Sequence, residues 1–239
     1  MPSIGHDNAY LVVEGERSTL LVDCAGSPLL KLKQAGIDPV RLEYLVLTHA
    51  HPDHLYGFPM LVLGLWLLGA STPLRVVAQT DTLDTARKLL ALFHPEQWPG
   101  FLHPIFVEVD VRRDAVVVDL PDLRVTSCPT QHLIPSMALK FLNKTSGRAV
   151  VYSSDTSPSE SVARFARSSQ VLIHEASGAE PGHSSAGEAG WVAQRAGVER
   201  LFIIHYPADT AGVEELVAEA RRTFTGQVEL ACDLDGFEF

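Results

Sequence analysis

Between Val46 and Phe58 the chain reads VLTHAHPDHLYGF, placing His49, His51, Asp53 and His54 within six consecutive positions. Imidazole nitrogens and carboxylate oxygens are donors for zinc and other first-row divalent ions, and one zinc would not take so many of them from a single turn. The alternation can send His49 and His51 to one ion and Asp53 and His54 to another. Pro52 and Gly57 are the residues that a tight turn of this kind uses.

Three more candidates close apolar runs elsewhere: His132 follows LRVTSCPTQ, Asp155 follows RAVVYSS, and His205 ends RLFIIH. Each is expected at a strand end, and strand ends along one sheet edge can converge. Five histidines and two aspartates suffice for two ions that share one carboxylate. Any one of them alone would read as a capped turn or a solvated histidine, but seven together point to a metal site.

The elements that must carry these donors are legible as twelve short Leu/Val-rich or β-branched runs: AYLVVE, STLLVDC, EYLVLTH, LRVVAQ, IFVEV, AVVVD, LRVTSC, MALKFL, RAVVYSS, VLIHE, RLFIIH and QVELAC. Runs of this composition predict strands. Helix starts are predicted at Ser27-Pro28, closed by Gly36, at Ser157-Pro158-Ser159-Glu160 as a capping box with proline at the first helical position, and at Ser185-Ala186-Gly187-Glu188 as a second box. Leu83, Ala86, Leu90 and Phe93 share one predicted helix face. Val213, Leu216, Val217, Ala220 and Phe224 share another, with Glu214, Glu215, Arg221 and Arg222 left to solvent. The stretch FPMLVLGLWLLGA, 58 to 70, is too short to span a bilayer and reads as a buried helix. The segment 94 to 104 is the longest predicted irregular loop. Trp66, Trp191 and the methionines are expected in the core, and His174 as a satisfied core histidine; His6, His94 and His103 read as loop or surface residues.

With 239 residues, 46% hydrophobic and 20% charged, the chain is long enough for one large core and is not disordered. No linker divides it, so residues 1–239 are expected to form a single domain. A formal net charge of −10 disfavours a broad electropositive face for long nucleic acid. Cys24, Cys128 and Cys232 are odd in number and widely spaced, which reads as buried free thiols in a reducing, cytoplasmic compartment. The N-terminus lacks the pattern of a secretory signal, and no membrane association is expected.

Taken in order, the aspartate of LLVDC, the H-x-H-x-D-H segment, the histidine of TQHLIPS, the aspartate of YSSDT and the histidine of FIIH resemble the five motifs of the metallo-β-lactamase superfamily. The likeness covers nearly the whole chain. LIHEAS followed by GHSSAGEAGWVAQRAGV is similar to the ribonuclease Z branch and its phosphodiesterase relatives. The resemblance implies an α+β fold, a four-layered αββα sandwich of two mixed sheets with helices outside. It also implies that His49, His51 and His132 hold one ion and Asp53, His54 and His205 a second, with Asp155 bridging and Asp23 orienting an imidazole ligand. The cofactors implied are two divalent ions, zinc first, with manganese, iron and cobalt also compatible with nitrogen and oxygen ligands. Two departures stand out: the interval from His132 to Asp155 has no room for the long arm of enzymes that bind transfer RNA, and the usual first strand before NAYLVVE is nearly absent.

The chemistry implied is hydrolysis of a phosphodiester by a metal-bridging hydroxide, with Asp53 as a catalytic as well as a ligating residue. Glu175 and His183 match the pair that assists departure of the leaving oxygen in the ribonuclease Z branch; the rival reading is a hydrogen bond that fixes the loop before Ser185. Ser153 and Ser154 have no separate base and are not nucleophiles. The expected substrate is a small phosphodiester or short oligonucleotide, with transfer RNA disfavoured. Alternatives are a lactone, thioester or β-lactam carbonyl on the same site, and a non-catalytic metal-dependent binding subunit. The intact ligand set argues against the last. A redox di-iron role would need a flavin module for which no segment remains. The oligomeric state stays open, a homo-oligomer included.

Overall fold

A computed structural model of the chain describes every residue except Met1, Ser3, Gly5, Arg17 and 208–211, together with the side chain of Val213. The chain divides into two compact units, Asp7–Asp110, and Val111–Phe239 with Met1–His6. Each predicted apolar run forms a strand.

In the first unit, β1 (Leu11–Glu14), β2 (Thr19–Val22), β3 (Leu42–Val46), β4 (Arg75–Ala78) and β5 (Ile105–Glu108) form a five-stranded sheet in sequence order. Only the β1–β2 pair is antiparallel. All four residues of β2 are buried, as expected of a strand covered on both faces. Crossovers are made by α1 (Pro28–Gln34), α2 (Pro52–Leu55), α3 (Phe58–Leu67) and α4 (Thr80–Ala91). The α1 helix starts at Ser27-Pro28, and Gly36, at φ +76°, follows its end, as predicted. Phe58, Leu61, Val62 and Leu65 turn one face of α3 into the core, whereas Met60, Leu67 and Leu68 are exposed. The run at 58 to 70 is therefore a half-buried helix. Phe93 lies beyond the end of α4 and is exposed, so only Leu83, Ala86 and Leu90 of the predicted face pack inward. Trp66 is half-buried and stacks on Trp98, with ring centroids 5.5 Å apart.

In the second unit, β6 (Ala115–Asp119), β7 (Leu123–Pro129), β8 (Met137–Asn143), β9 (Ala149–Tyr152), β10 (Val171–Glu175), β11 (Arg200–Ile204) and β12 (Gln227–Leu230) form a seven-stranded mixed sheet in the order β12-β11-β10-β9-β8-β7-β6. Strands β9 to β12 are parallel and β6 to β9 antiparallel. It follows that β7, β9, β10 and β11 all point the same way and end on one sheet edge. The parallel strands are linked by α5 (Glu160–Phe165), α6 (Ala186–Ala196) and α7 (Val213–Arg221). Ser185 and Glu188 make the predicted reciprocal capping box on α6. The start of α5 departs from expectation: its N-cap is Ser159, whose hydroxyl accepts from Ser161 N and Val162 N, and Ser157 and Pro158 precede the helix. Ser157 is otherwise engaged, as described below. On α7 Ala220 is buried, with Leu216 and Val217 partly buried beside it, and Phe224, which the predicted face included, packs into the core from beyond the helix end. Trp191 is exposed on α6, contrary to its core assignment, because Ala189, Val192 and Ala193 already supply the buried face.

Candidate metal centre

The donors of the first unit emerge where β3 ends. His49 follows the strand, His51 caps α2, Pro52 occupies the first helical position, and Asp53 and His54 fall in the single turn that follows. This turn is pressed onto the segment after β2: Cys24 N donates to His54 O at 2.7 Å, and Gly57 N to Cys24 O at 2.8 Å. A Cβ on Gly57 would come within 2.9 Å of Cys24 O, so glycine is required there by space.

Asp23, wholly buried at the end of β2, has φ +63°. Its Oδ1 accepts from Thr48 N at 2.8 Å, and its Oδ2 lies 2.8 Å from His54 Nδ1. The Thr48 hydroxyl is 2.9 Å from Asp23 Oδ2 and 3.0 Å from His49 Nδ1. Because that hydroxyl has one proton and directs it to the carboxylate, it accepts from His49 Nδ1–H. One aspartate thus fixes the tautomers of two imidazoles, His54 directly and His49 through Thr48, leaving both Nε2 atoms with a lone pair to offer. His49 Nε2 and His51 Nδ1 are 3.2 Å apart. Two nitrogens bound to one tetrahedral zinc at about 2.0–2.1 Å would sit roughly 3.3 Å apart.

In the second unit His132, Asp155 and His205 follow β7, β9 and β11, all at the edge where those strands end. Ligand sites of open α/β sheets form at such carboxyl ends. His132 Nδ1 is 2.8 Å from Gly182 O; a carbonyl can only accept, so Nδ1 carries the proton and Nε2 is the donor atom. Asp155 is buried and follows Ser154, at φ +51°, while His205 itself has φ +52°. Left-handed residues at Asp23, Ser154 and His205 mean that the backbone turns sharply at three of these strand ends.

Glu175 and His183 meet as the sequence suggested. His183 Nδ1 is 3.1 Å from Glu175 Oε1, and 2.8 Å from the hydroxyl of Ser177. The buried Glu175 carboxylate also accepts from Thr156 N, Ser177 N, Ser177 Oγ and Ser184 N. His183 lies beside the donors of its unit, its ring 5.0 Å from that of His132 and 6.3 Å from that of His205, and its Nδ1 3.8 Å from Asp155 Oδ2.

A family model for the β-lactamase superfamily domain matches residues 18–206. The chain belongs to the β-lactamase superfamily. Ribonuclease Z from Methanothermobacter thermautotrophicus is 26% identical, over 92% of this chain and 86% of that protein. Among solved structures, the metallo-β-lactamase fold protein YhfI from Bacillus subtilis superposes with a TM-score of 0.80 at 21% identity, covering 97% of this chain and 91% of that one. Human tRNase Z, short form, gives 0.77 at 21% identity, covering 98% and 93%. The fold, two mixed sheets flanked by helices, is therefore that of the metallo-β-lactamases.

The donors of this superfamily chain fit divalent metal: they are all nitrogen and oxygen, and hydrogen bonding turns a ring lone pair outward on His49, His54 and His132. The chain is a metal-dependent hydrolase. The roles of Thr48, Ser177 and Gly182 are not legible in the sequence, and Ser157 reads there as a helix cap, because hydroxyls and glycines are common at strand ends and only their partners distinguish them. Other readings hold. His174 is buried and its Nδ1 donates to Glu175 O. The Ser153 hydroxyl donates to Ser154 O and accepts from Glu175 N. All three cysteines are free, but Cys232 is exposed, contrary to the expectation of burial. Burial, and then the neighbouring Asp23, push the Cys24 thiol well above its ordinary range, so it stays protonated.

Proposed function

We propose that the protein is a dinuclear phosphodiesterase of the superfamily, and that residues 1–239 act as one hydrolase domain. His49, His51 and His132 would hold one ion and Asp53, His54 and His205 a second, with Asp155 available to both. The observation that carries this reading is the donor set of each unit: His49 Nε2 and His51 Nδ1 stand 3.2 Å apart beside Asp53 and His54 in the first, and His132, Asp155 and His205 follow strands that end on one sheet edge in the second. Zinc suits these ligands best. Two ions bound there would supply a water of lowered pKa and positive charge for the oxygens around phosphorus, the chemistry of in-line attack. Asp53 would orient the attacking water and accept its proton. Glu175 holds the His183 ring through Nδ1, so that Nε2 presents a proton to the departing oxygen.

Similarity to ribonuclease Z supports a phosphodiester. The charge pattern supports a small one. None of the donor-bearing segments, 23–27, 48–57, 130–136, 153–159, 176–185 and 205–212, contains a lysine or arginine, and the chain carries a formal charge of −10. Long nucleic acid is held chiefly by such cations, so a small diester or short oligonucleotide is the better substrate. Free cysteines support a reducing, cytoplasmic setting. Among the described residues, no helix is long and apolar enough to cross a membrane.

The deciding experiment is an activity panel on the metal-loaded protein with bis-p-nitrophenyl phosphate, cyclic nucleotides, a lactone, a thioester and a precursor transfer RNA. The small diesters should be cleaved fastest. Preference for the lactone or thioester would replace the phosphodiesterase reading with carbonyl hydrolysis.

A further inference from the structure

Ser157 lies two residues beyond Asp155, in a segment whose sequence reads as a helix cap. Its hydrogen bonds lie elsewhere. Ser157 N donates to Gln131 O at 2.8 Å, one residue before His132, and its hydroxyl accepts from Gly182 N at 2.9 Å, one residue before His183. Gly182 O is in turn the acceptor of His132 Nδ1 at 2.8 Å. The preceding residue repeats the pattern: Thr156 Oγ1 accepts from Gln131 N at 3.1 Å, Thr156 N donates to Glu175 Oε1 at 3.1 Å, and Thr156 O accepts from Ser184 Oγ at 2.7 Å.

Gly182 has little latitude. At φ +90°, a Cβ there would stand 3.0 Å from His132 Nδ1 and 3.1 Å from Leu133 Cγ. The Ser157 hydroxyl holds the N–H of the Pro181–Gly182 peptide, and the carbonyl of the next peptide, Gly182–His183, fixes the proton of His132 on Nδ1. The peptide that carries this carbonyl is held at its own N–H as well, His183 N donating to Glu180 O at 2.9 Å, so the turn is pinned on both sides of Gly182.

We propose that Ser157 is a positioning residue for the metal centre: bonded to Gln131 O on one side and Gly182 N on the other, it holds the Gly182 turn against the His132 segment so that His132 presents Nε2 to the ion and His183, the next residue, stands beside it. This rests on His132 being a ligand. Hydrogen-bond partners behind ligating imidazoles are worth 10- to 100-fold in metal affinity, and Ser157 acts one bond further back, so the expected loss lies toward the lower end.

The test compares Ser157→Ala, Ser157→Thr and Ser159→Ala, the last removing the true cap of α5. Zinc affinity is measured by competition with a chromophoric chelator, thermal stability is followed alongside, and the imidazole N–H signal of His132 is observed by NMR in the zinc-loaded protein. Ser157→Ala should weaken zinc binding roughly 10-fold and shift or broaden the His132 signal, Ser157→Thr should restore both, and Ser159→Ala should lower stability while leaving zinc affinity unchanged. Wild-type affinity in Ser157→Ala, or a loss that Ser159→Ala reproduces at equal stability, would overturn the assignment while leaving the metal centre intact. Wild-type protein that takes up no zinc would overturn the metal reading and this inference with it.

Discussion

His54 Nδ1 and Asp23 Oδ2 stand 2.8 Å apart with both side chains wholly buried, and Thr48 extends the same carboxylate to His49. Removing the carboxylate should therefore disturb donors of both proposed ions. Asp23→Ala is expected to lose 10- to 100-fold or more in zinc affinity at both positions. Thr48→Val should spare His54 and weaken the ion held by His49. Stepwise zinc titrations distinguish the two patterns.

Metal content is the most direct check on the donor assignment. Carefully reconstituted protein should approach two equivalents by elemental analysis, and the double variant His49→Ala, His51→Ala should fall below that. Saturation at one ion, with Asp53 and His54 dispensable, would rule out a dinuclear centre.

The position of His183, hydrogen-bonded through Nδ1 to Glu175 and Ser177, makes a kinetic prediction. A proton donor matters only when the leaving group needs a proton, and general acid catalysis is worth about 10²–10⁴ in rate. His183→Ala should keep both metals and lose much of its rate toward a diester with a poor alkoxide leaving group. Its loss toward a nitrophenyl ester should be far smaller. Equal losses on both would favour a purely structural hydrogen bond.

Because the donor-bearing segments lack lysine and arginine, turnover of a small diester should change little between low and moderate salt. Efficient site-specific cleavage of precursor transfer RNA at moderate salt would contradict the small-substrate reading.

His174 supplies a stability test. Burial holds its pKa below the ordinary value of 6.5, against the weaker opposing pull of its bond to Glu175 O. The unfolded chain therefore binds a proton below about pH 6.5 that the folded chain does not, and stability falls as pH drops through that range by up to about 1.4 kcal/mol per unit. His174→Asn, which keeps a donor in place of Nδ1, should show a shallower decline in urea-unfolding free energy between pH 6.5 and 5 than wild-type protein.

What could be read from the sequence follows from what repeats locally. The strands were legible because each is a short apolar run bounded by polar residues, and His49 to His54 were legible because ligand spacing within one turn is local. His132, Asp155 and His205 could be placed at strand ends, but the shared direction of β7, β9 and β11 comes only from pairing. Ser157 shows the opposite case: Ser-Pro-Ser-Glu satisfies a capping pattern at two serines, and tertiary bonds to Gln131 and Gly182 decide which one caps. Trp191 and Phe93 failed as core residues for a related reason, since periodicity names a face without saying how far the buried stripe extends.

The left-handed turns at Asp23, Ser154 and His205 also bear on how the protein could be made hardier. Each such residue costs on the order of 1–3 kcal/mol. At Asp23 the side chain is the carboxylate that orients His54 and at His205 it is a proposed ligand, so glycine there would exchange function for ease of folding. Among the described residues, the Ser154 side chain offers a 3.3 Å hydroxyl contact with Ser136. Thermostabilising selection should therefore find Ser154→Gly readily and leave the other two alone, so that tolerance to heat and capacity for catalysis trade against each other at two of the three turns and come apart at the third.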